Sequence, residues 1–527
     1  MNVTTPTRKS YKLHRILSCA ALTIAVVLPR PGHAQRSATP SAASANSDQE
    51  AAIGQGRILL VLPFDNQTAP SPASDTRKPD AAGSPVAASL DAASLDWLRE
   101  AAPEILNSRF TSAGFFPLTR EDRLYALDHL GLPETFQPSR ATALRIAQTL
   151  DANYVLVGNY RVSGTTLSLE ARIVDVAKLR ISDPITQAGE ISKLIPLLNS
   201  LAWQITRKLD PTFSVSEETF RTAGAGIHLD AFEQYIRGLA EHDALARLRH
   251  LQKATELNPN FTAAWLAQGK LDFANQQYEE SAVAFGKVAA LDPSDLEAAF
   301  YRGLSLIFSG NYPRAEEAFA AVARVLPLPE VVNNQAVAES RRGRDAVALF
   351  RQAEAADPND ADYHFNLAVS LHRHGNQPEA LTELAQSLKL HPNDSEARAL
   401  QNTWKSAPEK SSNPVSTSTT QALGAVSPVP QQIEPLERIK RTYDGTAFRQ
   451  ASQMLDQVEQ ARLAALPGPQ RAQKLAASAR EKLNRGLLLE AERGFQSALA
   501  ADPNNAEAKS GLAQVRERAG TIDTAHP

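Results

Sequence analysis

Pro259, Pro293, Pro327, Pro358 and Pro392 stand 34, 34, 31 and 34 residues apart, and no other feature constrains the fold of this chain as strongly. Each proline closes an Ala-rich helical run, in phrases such as "ELNP", "ALDP", "AADP" and "KLHP". Proline stops a helix because its ring removes a donor and clashes with the preceding turn. A fixed period of this length marks a solenoid, in which one helix pair cannot bury its apolar face until the next pair stacks on it.

Residue types also recur inside the period. Gly303, Gly310, Tyr312, Ala315 and Phe319 precede Pro327, and Gly269, Tyr278 and Phe285, with Trp265, hold the same places before Pro293. There Ser281 stands where the next unit has Ala315. The short unit ending at Pro358 keeps Ala346 and Phe350 and turns on "RRGRD"; the unit ending at Pro392 carries Leu367, Ala368, Gly375, Ala380 and Leu384. A weaker first unit, about 231–259, reads as a cap. This set is identified as a run of four to five tetratricopeptide repeats over residues 229–404. The resemblance implies paired antiparallel helices whose first members line a concave groove, and action through protein partners.

Laying that register on the chain brings Ala263, Leu266, Lys270 and Phe273 to the groove in one repeat, and Glu297, Phe300, Leu304 and Ile307 in the next. The short repeat adds Asn333, Val337 and Ser340, and the last adds Asp362, Phe365, Val369 and His372. The candidate partner-binding set is Leu266, Lys270, Phe273, Phe300, Leu304, Ile307, Asn333, Phe365, Val369 and His372. The Lys/Asn set with which some members clamp a C-terminal carboxylate is not at these positions. The apolar middle admits two readings: ordinary packing between repeats, or a seat for an amphipathic helix or an apolar extended segment. Such a segment could belong to a partner or to the chain's own C-terminal helical region.

Ahead of the repeats, residues 57–211 alternate strand and helix signals. "RILLVLPFDNQ" reads as a buried strand ending at Phe64-Asp65-Asn66, followed by a Pro/Ala/Ser/Asp-rich insertion at about 67–89 expected to be disordered. "LDWLREAAPEILNSRF" has helical spacing, "GFFPLT" is a short strand, and two helices follow, the second capped by Ser139. "NYVLVGNYRVSGTTLSLEARIVDV" then reads as a hairpin turning at Ser163-Gly164. "VLPFDN" and the hairpin string resemble the N-terminal domain of TolB and related CsgG/FlgO-type envelope domains, which implies an α/β assembly and contact module. The resemblance makes Asp65 a strand-end residue that caps or turns the chain, favoured over a catalytic carboxylate. The insertion departs from the family.

Beyond the repeats, residues 405–435 form a Pro/Ser/Thr linker. Residues 436–520 hold a long helix and one further repeat with Gly486, Ala491, Phe495 and Pro503, read as a separate small helical domain. The expected fold is therefore an α/β N-terminal domain, an all-α solenoid and a second short repeat-like helical domain.

The N-terminus has the pattern of a secretory signal: basic residues from Arg8 to Arg15, a 13-residue apolar run from Ile16 to Leu28, and small residues at Gly32 and Ala34, with cleavage expected after Ala34. An uncleaved anchor stays open, and "ILSC" around Cys19 is a poor lipobox because most of the apolar run follows it. Residues 35–56 read as a disordered tether. Cleavage would remove the chain's one cysteine and with it any disulfide or thiolate chemistry. A net charge of −3 carries no bulk signal for nucleic acid.

No phosphate-binding Gly-rich loop or nucleophile elbow is found, and "AGAGIHL" reads as a hinge. His372 and His374, two residues apart on a helix, point to different faces and do not form a chelating pair. The expectation is a non-enzymatic scaffold of the periplasm or envelope with no cofactor or metal, acting through protein partners in its groove. Membrane association is not indicated beyond the signal. An oligomerising component of an outer-membrane secretion or assembly system, and a hydrolase whose repeats recruit substrate, are the alternatives.

Overall fold

The computed structural model describes residues 57–68, 92–134, 139–406 and 435–525. The signal sequence, the tether and nearly all of the expected insertion and linker lie outside these residues. The described chain divides into a unit of residues 57–267 with 455–525 and a unit of residues 268–454. Most of it is helical, with one small mixed sheet near the N-terminus.

The sheet begins at β1 (Ile58–Val61), whose Leu59, Leu60 and Val61 are buried. It runs parallel to β3 (Phe116–Pro117) on one side and to β4 (Tyr154–Ser163) on the other. Asp65 and Asn66 form β2, which extends the ladder on β4 opposite Asn159 and Tyr160. Gln67 and Thr68 continue this pairing through the Tyr160 carbonyl and the Val162 amide, so the first two residues of the expected insertion belong to the ladder. The Phe64 ring crosses Gly158, where a Cβ would come within 2.4 Å of it. β4 and β5 (Thr166–Asp175) form the expected hairpin, with Gly164 at φ +60°, and β6 (Arg180–Ile181) and β7 (Ile185–Glu190) pair along β5.

Helices α1 (Leu98–Ala113), α2 (Arg120–His129), α3 (Arg140–Thr149) and α4 (Leu194–Leu209) cover this sheet. Thr119 and Asp122 close a capping box on α2, and the Ser139 hydroxyl caps α3 through the Thr142 amide. After the short α5 (Glu217–Arg221), the pair α6 (Leu229–Ala240) and α7 (Ala244–Leu257) forms the weak first repeat. α6 meets α1, where the Tyr235 hydroxyl donates to Glu104 at 2.6 Å.

The C-terminal helices α18 (Gly468–Asn484), α19 (Leu488–Ala501) and α20 (Ala506–Ala525) pack as a repeat around Phe495. The sequence set them apart as their own domain; their packing joins them to the sheet unit. Glu492 is fully buried and accepts from the Ser216 amide and hydroxyl, and Arg493 donates to the Ser112 carbonyl at 2.6 Å. Buried ionic and polar groups of this kind need partners, and α1 and the α5 cap supply them.

In the second unit, the end of α8 (Thr262–Ala274) is followed by α9 (Tyr278–Leu291), α10 (Leu296–Phe308), α11 (Tyr312–Val325), α12 (Pro329–Arg341), α13 (Val347–Ala356), α14 (Ala361–Arg373), α15 (Gln377–Leu390) and α16 (Ser395–Ser406). Gly303 on α10 makes room for the Phe319 ring of α11, which a Cβ would meet at 2.7 Å. Gly269 and Phe285 repeat that contact one period earlier. Ser281 keeps its alanine-like place because its hydroxyl is satisfied, lying 2.9 Å from both the Gly269 carbonyl and the Ser305 hydroxyl.

Candidate functional site: an occupied peptide groove

The concave side of the repeats holds a segment of the same chain. The helical region expected from residue 436 starts only at α17 (Gly445–Ala464), and residues 435–444 run without regular secondary structure along α10, α12 and α14. Pro435 stands at its start, and Gly445 opens the helix that follows it. The segment's unpaired backbone groups find partners on the helices instead.

Three asparagines make the backbone contacts at Arg438 and Lys440. The Asn366 amide receives the Arg438 N–H on Oδ1 at 2.6 Å and donates to the Arg438 carbonyl at 2.8 Å. Asn334 does the same for Lys440, receiving its N–H at 2.9 Å and donating to its carbonyl at 2.7 Å. Asn333 adds a bond to the Arg438 carbonyl at 3.0 Å and accepts from Asn366 at 2.7 Å. All three side chains belong to fully buried residues. Pairing at residues 438 and 440 fits an extended strand, whose alternate residues present their N–H and C=O on the same edge.

Side chains set the register. Glu437 is buried and takes hydrogen bonds from the Ser340 hydroxyl at 2.5 Å and from Arg373, with Arg341 Nε 3.7 Å away. Arg373 also donates to the Pro435 carbonyl at 2.8 Å. On the other side, Arg438 pairs with Asp394 at 2.6 Å and with Asp362 and Glu396 at 3.1 Å, its guanidinium 3.7 Å above the Phe365 ring. Lys440 reaches Asp360 and Asp362 at 2.8 and 2.7 Å, beside the Tyr363 ring. Arg441 lies over Phe308, and Tyr443 joins Phe300, Tyr301 and Phe448 in an aromatic cluster. Burial disfavours the Lys440 cation, but Asp362 and Asp360 outweigh it and raise its pKa. Burial likewise pushes Asp362 and Asp394 up, and Lys440 and Arg438 respectively hold them below the ordinary carboxylate range.

Of the residues the register brought to the groove, Phe300, Asn333, Ser340, Asp362 and Phe365 touch this segment. Leu304, Ile307 and Val369 are buried in the solenoid core. Lys270 pairs with Glu297 at 2.7 Å, and Phe273 packs on Tyr278, Tyr301 and Phe308. His372 stacks on Trp404 of α16 at 4.1 Å, between helices. Leu266 is half-buried on the part of α8 assigned to the first unit. Asn334, Asn366, Arg373 and Asp394 were not among the candidates. Their signal was the return of asparagine at 333 and 366, about one period apart on first helices.

Asp65, the strand-end carboxylate, borders a cavity with Arg140, Glu170 and Arg172. Burial raises its pKa against the pull of Arg99, and Arg172 is paired to Glu170 at 2.9 Å. Among the described residues no group of three His, Cys, Asp or Glu is placed to hold a metal, and no helix is long and apolar enough to cross a membrane.

Residues 266–327 and 334–395 match the tetratricopeptide repeat family model. No curated protein matches the chain. Among solved structures the chain is similar to YrrB, described as a TPR protein with an unusual peptide-binding site, at 18% identity over 33% of this chain and 92% of that one, with a TM-score of 0.31. It is also similar to MamA from Desulfovibrio magneticus RS-1, at 17% identity over 34% and 99%, with a TM-score of 0.28. The C-terminal domain of LpoB from Salmonella enterica matches at 20% identity over 26% and 83%, with a TM-score of 0.18. The helix pairs that form this groove are tetratricopeptide repeats, a family whose members generally act through protein–protein contacts.

Proposed function

We propose that the chain is an exported, non-enzymatic scaffold of the cell envelope whose repeat groove binds an extended peptide. The carrying observation is the asparagine ladder: Asn334 and Asn366 each make a two-bond contact to the main chain of an extended segment. Recognition of this kind needs only the backbone and is the work of a peptide site. The signal-like N-terminus supports export, and the TolB-like strings of residues 57–211 support a second contact surface on the sheet domain. Asp65 serves there as a ladder residue.

The full chain, expressed with its own N-terminus and carrying a photo-reactive residue in place of Glu396, tests this. Mature protein beginning at Gln35 is expected in the envelope fraction, cross-linked to a second protein in a manner lost with Asn366→Ala. Retention in the cytosol with an intact N-terminus refutes export. A cross-link indifferent to Asn366→Ala refutes the groove as the contact surface.

A further inference from the structure

We infer that residues 435–443 are an internal competitor for the groove, and that the partner is an extended peptide with the same order of groups. That order is a carboxylate, a cation at the next residue, a second cation two further on, and an aromatic ring three beyond that, as in Glu437, Arg438, Lys440 and Tyr443. The inference rests on the reading of the groove as a peptide site.

Three observations carry it. First, the groove separates charge. Arg341 and Arg373 lie at the Glu437 end, and Asp360, Asp362, Asp394 and Glu396 surround Arg438 and Lys440. A ligand entering in the reverse direction would set like charges together. Second, the closure is ionic. A groove shut permanently is shut at least as well by apolar residues, because a buried ion pair gains little over an apolar filling of equal volume. Ions do specify register, and the Glu437, Arg438 and Lys440 side chains regain full hydration when the segment leaves. Third, the 28 residues between Ser406 and Pro435 are rich in Pro, Ser and Thr. Covalent connection through 28 residues presents the segment at an effective concentration on the order of millimolar. Against a segment with an intrinsic Kd of about 10 μM, that concentration weakens an incoming peptide about 100-fold.

The test uses the full chain and a fluorescent synthetic peptide with the sequence of residues 435–448. Four proteins are compared: wild type, Glu437→Gln, the strap variant Glu437→Ala/Arg438→Glu/Lys440→Glu, and that strap variant with Asn333→Ala/Asn366→Ala added. The milder Glu437→Gln guards against loss of fold, since it keeps the side chain's shape and a hydrogen-bonding amide. The strap variant is expected to bind the peptide about 100-fold more tightly than wild type, and Glu437→Gln about tenfold more tightly. Adding the asparagine changes should abolish binding, as should scrambling the peptide. Equal affinity of wild type and both strap variants would leave the groove a peptide site and overturn the internal competition. Failure of both strap variants to bind, with helicity intact, would overturn the peptide site itself. Tight binding of the scrambled peptide would overturn the proposed order of groups.

Discussion

Replacing Asn366 by alanine isolates what the backbone contacts are worth. The change removes the bonds at 2.6 and 2.8 Å to Arg438 and the one at 2.7 Å to Asn333. The Arg438 carbonyl still accepts from Asn333, so the groups stranded are the Arg438 N–H and the Asn333 Oδ1. Each buried, unpaired group costs about 1–3 kcal/mol, an upper bound of about 6 kcal/mol if nothing moves. The segment can move, however, and leaving the groove lets both groups meet water. The observed loss therefore cannot exceed the free energy of docking, and about 2–3 kcal/mol is expected for the opening of the segment. At 1.4 kcal/mol per tenfold, the Arg438 amide should exchange with solvent about 30- to 150-fold faster than in wild type. The Lys440 amide, held by Asn334, should accelerate by a similar factor, because one strap opens as a unit. Site-resolved hydrogen exchange at neutral pH reads both. Acceleration at Arg438 with none at Lys440 would refute a cooperatively docked strap, and less than about tenfold at both would refute the burial argument.

Acid should loosen the same contact. Asp362 and Asp394 titrate below their ordinary value, so the stability they supply is present above about pH 4 and is lost as pH falls through their depressed pKa values. Exchange at 438 and 440, corrected for intrinsic rate, is expected to speed up as pH falls below about 4. Asp272 works in the opposite sense: burial lifts it to about 6, with Gln268 lowering and Glu280 raising it, so its charged form costs stability at neutral pH. Asp272→Asn is expected to raise the thermal midpoint at pH 7 and to match wild type below about pH 4, where both side chains are neutral; differential scanning at the two pH values checks it. Gly303→Ala gains about 1 kcal/mol of helix propensity but drives a methyl to 2.7 Å from the Phe319 ring, a clash of about 1–3 kcal/mol. The melting temperature should fall, and Phe319→Leu in the same chain should recover part of the loss.

The repeats were legible because their determinants are local and periodic. A proline ends each run, a glycine faces a phenylalanine 16 residues later, and the same pair returns a period on. The sheet was legible for a related reason, since β1 and the hairpin are runs of β-formers bounded by turn residues. The strap was not, because nothing within residues 435–444 specifies its place. Its charges read as a solvated run until Asp362, Asp394 and Arg373 stand opposite them, and those residues are 40 to 80 positions away. The seating of the C-terminal helices depends likewise on Glu492 meeting Ser216 across most of the chain. His372 was misread in direction: helical register placed it toward the groove, and the Trp404 ring holds it between helices.

The asparagine contacts are made to atoms that every residue but proline possesses, while selectivity sits on a few charges. Holding power and identity are thus stored in different places. Leu436 and Thr442, both exposed, are free to drift through descent without dislodging the segment, whereas a change at Glu437 calls for an answering change at Arg341 or Arg373. Across related chains, variation should pool at the first two positions, and the ionic positions of strap and groove should change together or not at all.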